Sequence, residues 1–550
     1  MGILKAIAYP QKGCPPGGIP TGWVTSLPAD STPLLMIENQ PETTSGIPLK
    51  LLYGPDDVPT GIREALAAPP GRAPYLRGAY PRMYRDRPWR IFQLSGYGNP
   101  EDMNERLKFL LFEAGETGII IKHDRMTDDH LYDVDHPEIV ERREDVGLTG
   151  TVTVGLRDYE TILSDLPLDS IYAKPGGGVP QSAVYTLPSY WSVARRRGIP
   201  LEKLAGTGQS DFFLTYLGCP TKEQIPPEAA IRFNLDLIEW CSERMPRWVP
   251  VSIAGYNAAD SGLSAHQELG AVMANAVQYL DMIAARGKVD VERLAHRIGG
   301  VNFRVSMEVF EDAAKLRAAR KMWSDLLGQR YGITDEKARQ MRIHVVTAGS
   351  AMTYQEPFNN IVRGALMALF SVLGGTQSLG VSGYDEAMSI PSDHAHLMSI
   401  RIQQILQNEI NLREVADPLG GSYYVESLTG ELEHRGWEFF QQIQDRGGFL
   451  AVLDDGFLLE CAEENNQRIA AGIEAGERAI VGVNTHTIDD PIMEVEAFEG
   501  RSGAQTWEMA MERLSDLRRT RHGRGAVEAL RNLQEVCRNE AVNAIPAFME

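Results

Sequence analysis

Several short apolar runs of this sequence carry side chains that an ordinary core rejects. WRIFQLSGY (89–97) has the β-branched and aromatic character of a buried strand, yet Arg90 and Gln93 stand among Ile91, Phe92 and Leu94. GIIIKHD (118–124) carries Lys122, SIYAKPGGG (170–178) carries Lys174 and three glycines, and LAGTGQ (204–209) ends in Gln209. VPVSIAGY (249–256) adds Ser252 and Tyr256. Burying a cation or an amide is costly unless it finds a partner. These residues are therefore either satisfied buried polars and turn formers or the lining of a site. HDRMTDDHLYDVDHPE (123–138) packs three His and five Asp into sixteen residues, donors that suit a metal ion.

The elements that must position these groups repeat in a simple rhythm. From Trp89 onward eight β-like runs alternate with segments of helical period: 89–97, 118–124, 170–176, 204–209, 249–256, 297–303, 341–349 and 376–384. The helical segments include PEDMNERLKFLLFEAG, PEAAIRFNLDLIEWCSERM and MEVFEDAAKLRAARKMWSDLL, with apolar residues three and four apart. Eight alternations with no early G-x-G-x-x-G turn predict an α/β chain folded as a (β/α)8 TIM barrel rather than an open doubly wound sheet. In such barrels chemistry sits where strands end, and several runs end in Gly, Asp or Gln. The expected layout is an extended Pro/Gly-rich N-terminal arm (1–75), the barrel (76–415) and a helical C-terminal extension (416–550).

Bulk properties narrow the partners. A formal net charge of −20 disfavours nucleic acid and anionic membrane surfaces, which need dense Lys and Arg. Five widely spaced cysteines without a C-x-x-C pair suggest neither a disulfide frame nor a thiolate zinc site and fit a reducing cytoplasm. The absence of a signal-peptide core and of any apolar run of about 18 residues predicts a soluble protein.

YLRGAYPRMYRDRPW, LAGTGQSD, SIAGYNAADSG, AAKLRAAR, GGTQSLGVSGYDEAMSIP, DPLGGSYYVE and IVGVNTH follow one another in this sequence. In that order they resemble the signature segments of the large subunit of adenosylcobalamin-dependent acyl-CoA mutases, the group that includes methylmalonyl-CoA, isobutyryl-CoA and 2-hydroxyisobutyryl-CoA mutases. The resemblance runs from about residue 75 to 490. It implies that an acyl-CoA threads its pantetheine along the barrel axis, and that a 5′-deoxyadenosyl radical starts a 1,2 shift of the thioester group. A bore that admits pantetheine needs small and polar lining, which would give Gln93, Lys174, Gly176, Gly177, Gly178, Gln209 and Ser252 a purpose. The family's cobalt-ligating D-x-H-x-x-G has no match here, so the expectation is a chain without a cobalamin-binding domain, served by a small cobalamin-binding subunit in a heterotetramer.

Carried over residue by residue, the resemblance implies that Tyr80, Met83, Arg87 and Arg297 hold the CoA end. It places Gln209 by the reacting acyl group, Tyr256 as the wedge against the corrin, and Glu386, with Gln377 and Gly349, on the adenosyl side. YDVDHP matches a structural loop of the family, so no metal site is expected. Three positions depart from the family. Leu94 stands where relatives carry Tyr, Phe or Ile, Cys219 where they carry Arg or Gln, and Asn257 where a catalytic His bonds the thioester carbonyl. These shortenings predict a larger acyl pocket, while Arg90, Lys122 and Lys174 bring cations that could hold a carboxylate. The expectation is a bulky, for example aryl-substituted, dicarboxylic acyl-CoA of the arylsuccinyl-CoA type. A small branched or hydroxylated acyl-CoA is the alternative, and a non-catalytic CoA-binding relative a further one. LRRTRHGRG (517–525) reads as a solvated helix end or a docking strip for the small subunit.

Overall fold

All eight β-rich runs form strands. The structure, a computed structural model, describes residues 41–550 apart from 177, 218–221, 224, 299, 490–499 and 501. Cys219, Gly177 and the first forty residues of the expected arm thus lie outside the described residues. The strands are β1 (Arg90–Ile91), β2 (Leu94–Ser95), β3 (Gly118–Ile121), β4 (Tyr172–Lys174), β5 (Ala205–Thr207), β6 (Trp248–Val249), β7 (Ile253–Ala254), β8 (Gly300–Val305), β9 (Arg342–Thr347) and β10 (Ser378–Gly380). They pair in the orders β2-β3-β4-β5-β6 and β1-β10-β9-β8-β7, every pair parallel. Because β1 and β2 belong to one extended run and β6 and β7 to another, the two ladders meet at both edges. They form a ring of eight strands, the (β/α)8 barrel.

The two seams are closed by side chains. At the first, the Gln93 N–H donates to the buried Glu116 carboxylate, and Gln93 Oε1 accepts from the Val381 N–H at 2.9 Å. At the second, Ser252 N–H donates to Gln209 O at 2.9 Å and Ser252 Oγ to Gly300 O at 3.1 Å. Alternation along β1 and β2 puts Arg90, Phe92 and Leu94 on one face and Ile91, Gln93 and Ser95 on the other. Ile91 packs outward with Leu110, Ala114 and Ile400. Gln93 therefore does not line the bore as expected; its amide replaces ladder bonds at the seam.

The inward face is unusual for this architecture. The Phe92 ring meets Tyr172 of β4 at 5.5 Å and His344 of β9 at 5.7 Å, strands on opposite sides of it in the ring, so Phe92 points inside. In β8 and β9 the buried residues Val301, Phe303, Val305, Ile343, Val345 and Thr347 alternate with half-buried Gly300, Asn302, Arg304, Arg342, His344 and Val346. Layers of branched apolar residues fill an ordinary barrel; here most of the inward set is polar, small or aromatic. Leu94 is 51 % exposed although it sits on a barrel strand, which marks open space beside it.

Helices cover the outside, among them Pro100–Lys108, Pro180–Arg196, Pro227–Arg244, Ala265–Arg286, Val309–Tyr331, Asn359–Leu373 and Asp393–Asn408. Three of them begin with Pro at the first position, where the missing N–H costs nothing. Arg297, read as the start of a strand, is instead in the last turn of the helix Val291–Ile298. The C-terminal part is helical, and Tyr423–Asp445 packs on Ala265–Arg286 and Val309–Tyr331. Gly270 permits that approach, because a Cβ there would stand 2.8 Å from Gly436 O. Residues 52–550 form one compact unit, which includes the helix Thr60–Leu66 of the expected arm. Residues 41–51 belong to a separate small unit, with a Glu42–Pro48 bridge around Gly46 (φ +67°). Among the described residues no helix is long and apolar enough to cross a membrane.

Candidate active site in the barrel bore

The strand starts gather cations. The Arg90 guanidinium lies 4.4 Å over the Tyr172 ring, and Arg87 lies 4.8 Å over Tyr80. Burial raises the Tyr172 phenol pKa, while the nearby charges of Arg90 and Arg342 act against it. Arg297 donates to Pro246 O, and burial with neighbouring Arg342 and Arg293 lowers its pKa. Arg342 Nη2 donates to His296 O at 2.9 Å. Among the described residues none of Arg87, Arg90, Arg297 and Arg342 forms an ion pair. Guanidiniums resting on ring faces and carbonyls keep their forks available to an anion such as phosphate. Met83 is turned inward: it is buried, its Sδ accepts from the Tyr80 N–H at 3.4 Å, and its side chain fills the space that Gly78 (φ +136°) leaves open.

Higher in the bore, His344 Nδ1 and Ser378 Oγ are 2.8 Å apart, in register on β9 and β10. Burial, with Lys174 nearby, pushes the His344 pKa down to about 3, so its ring is neutral at physiological pH. Lys174 ends β4 and donates to Gln209 Oε1. Leu94, Ile120 and Lys174 are aligned across three adjacent strands, with Lys122 one inward position beyond Ile120. Among the described residues Lys122 forms no ion pair.

Gln209 and Ser210 sit in the left-handed region at φ +59° and +48°, a conformation that persists only where surroundings enforce it. The enforcing group is Asp211, fully buried just beyond β5. Its carboxylate accepts from the Ala254 N–H at 2.9 Å, Asn275 Nδ2 at 2.8 Å and Tyr279 OH at 3.1 Å, and burial raises its pKa to about 6. Ser210 Oγ adds a 2.7 Å bond to Asn234. The network turns the Gln209 amide toward Lys174.

The strand ends of β7 to β10 carry a second cluster. Tyr256 opens the helix Tyr256–Ser261, and its OH donates to Asp260 Oδ2 at 3.4 Å. Burial and the charges of Asp260 and Glu386 hold the phenol well above its usual pKa. Burial, with Asp385 and Asp260, raises the Glu386 carboxyl to about 7, so it carries a proton part of the time at neutral pH. A Cβ on Gly349 would stand 3.5 Å from Glu386 Oε1 and 3.7 Å from Tyr256 OH; its absence leaves a cradle between them. Asn257 follows Tyr256 in the same helix.

The structure thus brings together Leu94, Lys122, Lys174 and Gln209 in one chamber, and Tyr256, Gly349 and Glu386 at its rim. It separates two residues from the roles expected of them. Arg90 begins its strand four residues before Leu94, roughly 13 Å away along the strand, so it belongs to the mouth and not to the chamber. Gln377 precedes β10 at that same end; its Oε1 accepts from the Ile343 N–H at 2.7 Å and its Nε2 donates to Gly375 O at 2.8 Å. Both ends of the amide seal the start of the sheet, so it does not join Glu386. The sequence reading overlooked His344, Arg342, Asp211 and Asp260. The polar residues at 342 and 344, two apart within MRIHVV, were the available signal for the first pair.

The sequence profile described as methylmalonyl-CoA mutase matches residues 42–550. The 2-hydroxyisobutanoyl-CoA mutase large subunit of Aquincola tertiaricarbonis is 33% identical, over 93% of this chain and 89% of that protein. The methylmalonyl-CoA mutase of Rhizobium meliloti is also 33% identical, over 92% and 69%. The methylmalonyl-CoA mutase large subunit of Streptomyces virginiae is 34% identical, over 90% and 65%.

Proposed function

The chain belongs to the methylmalonyl-CoA mutase family, and from that membership we propose that it is the large subunit of an adenosylcobalamin-dependent carbon-skeleton mutase whose acyl-CoA carries a carboxylate and a bulky substituent. CoA enters by the arginine-rich mouth, where Arg87, Arg90, Arg297 and Arg342 bind its phosphates. The thioester reaches the level of Gln209, whose amide is fixed by Asp211 and Lys174. The observation that carries the reading is the chamber wall beside Leu94: an open inward face next to two ammonium groups, Lys174 and Lys122. A branched or aryl-substituted dicarboxylic acyl group fills that volume and meets those charges.

The rim fits a large cofactor, since the Gly349 cradle lies open between a phenol and a carboxyl that bonds in either protonation state. Adenosylcobalamin, when bound, supplies homolytic chemistry at that rim. Tyr256 would press against it and Glu386 would bond its sugar hydroxyls, while the helices and the filled bore exclude water. A small cobalamin-binding subunit, as the name "large subunit" of two relatives suggests, completes the enzyme.

A second reading rests on the relative from Aquincola tertiaricarbonis, whose name gives a small hydroxylated acyl group. The Leu94→Tyr variant separates the two. With the small subunit and adenosylcobalamin present, isomer formation from a bulky dicarboxylic acyl-CoA should fall at least tenfold, while a small acyl-CoA is spared. Equal loss for both would refute the enlarged pocket. No isomer from any acyl-CoA of either size would favour a non-catalytic CoA-binding protein.

A further inference from the structure

Two of the three histidines in HDRMTDDHLYDVDHPE meet a carboxylate from a distant segment. His130 follows β3, and Glu223 follows β5. His130 is 3 % exposed, and its Nδ1 is 3.3 Å from Glu223 Oε1. His136 Nε2 lies 3.3 Å from the same oxygen. On its other side, His130 Nε2 has no aligned hydrogen-bond partner, and Glu138 Oε2 stands 3.3 Å away. The Glu223 N–H donates to Asp129 O at 3.0 Å, which fastens the two segments together. Lys222 and, at 3.8 Å, Arg142 pair with Glu138, so that acid is balanced without a charge on His130.

We propose that His130 Nδ1, His136 Nε2 and Glu223 Oε1 bind one divalent cation of the zinc class. The three donors lie within 4.8 Å of one another. Two of their separations, 3.3 Å, equal the edge of a tetrahedron with bonds of about 2.0–2.1 Å. Two imidazoles and one carboxylate select zinc, cobalt or nickel over the oxygen-loving magnesium and calcium. Glu138 on His130 Nε2 is the outer carboxylate that orients a metal-bound imidazole. One rearrangement is required. The His130 and His136 rings are stacked, 3.9 Å between centroids at 15°, and a cation in the plane of one ring is out of the plane of the other. His136, with its side chain 30 % exposed, is the ring with room to turn. It gives up a long 3.3 Å bond from the Glu138 N–H to its Nδ1. The cation would tie the segment after β5 to the segment after β3 on the face of the barrel where the acyl chamber opens.

The test uses the full-length, tag-free chain, stripped with EDTA, desalted and given zinc alone or cobalt(II) alone. Zinc should be retained through desalting at one per chain, cobalt should show tetrahedral visible bands, and zinc should raise the melting temperature. His136→Ala and Glu223→Gln should abolish all three, and Glu138→Gln should weaken zinc binding about tenfold. Far-ultraviolet circular dichroism reports folding of each variant, and the exposed Glu223 serves if His136→Ala fails to fold. No zinc retained by the wild type, or equal retention by wild type and Glu223→Gln, would overturn the site.

Discussion

The two ends of the bore treat their polar groups in opposite ways. At the mouth, Arg87 and Arg90 are exposed on aromatic faces, and Arg297 and Arg342 rest on carbonyl oxygens. Arg87 and Arg90 sit in water that screens them, and Arg297 and Arg342 are half-buried. In the chamber, Asp211, Glu386 and Tyr256 are withdrawn from water with raised pKa values, and Gln209 and Ser210 are held at positive φ. Such groups persist because the surrounding network enforces them, at some expense of stability. The mouth is built for affinity and the chamber for geometry. Substitutions at the two ends should therefore fail differently.

The largest effect is expected at the rim. On the proposed reading Tyr256→Ala removes the side chain against which the cofactor would seat, and misplacement by about 1 Å costs roughly a hundredfold in rate. Turnover should fall at least that much with KM nearly unchanged. A rise in KM instead would give the rim an affinity role and break the contrast. Next is Lys174→Met, which leaves the Gln209 amide without its charged donor. A carboxylate-bearing acyl-CoA should lose about 30- to 100-fold in kcat/KM, the worth of a charge-assisted bond, and a neutral one only a few-fold. Equal losses would mean that Lys174 only positions Gln209. The mouth should give the milder result: Arg90→Gln should raise KM about three- to tenfold with kcat unchanged, and the difference should shrink as salt is added.

Much of this contrast was legible before the fold was known, because strand faces follow from alternation. Once 90–95 is a barrel strand, Arg90, Phe92 and Leu94 must share a face and Gln93 must oppose them. The eight strands were readable for the same local reason, their β-branched and aromatic runs. What could not be read were partners brought from afar. Gln93 is a seam residue only because Glu116, 23 positions on, takes its N–H. Gln209 is poised only because Asp211 finds Asn275 and Tyr279 on a helix 64 and 68 positions away. The mutase resemblance put Gln377 with Glu386 on the adenosyl side, yet the strand between them separates the two ends of the barrel. The His130–Glu223 pairing spans 93 positions, so the His-rich stretch alone displayed only part of a ligand set.

The smallest effect is thermodynamic, and it tests whether the chamber's geometry costs stability. The Glu386 carboxyl is raised from 4.5 to about 7 by burial and by Asp385 and Asp260. Between those values the folded chain binds more protons at this site than the unfolded chain. Its contribution to stability is therefore full below pH 4.5, falls as pH rises, and is lost by the time the folded carboxyl has ionised above about 7. Glu386→Gln removes the ionisation while keeping the shape. The melting temperature of the variant should exceed that of the wild type, and the gap should widen by about 1–2 °C between pH 6 and pH 8.5 for a chain of this size. The matching substitution at the mouth, Arg90→Gln, should show no such trend, since it leaves the Glu386 carboxyl in place. A constant gap for Glu386→Gln would mean that the carboxyl is solvated in the folded chain, and the rim would then resemble the mouth.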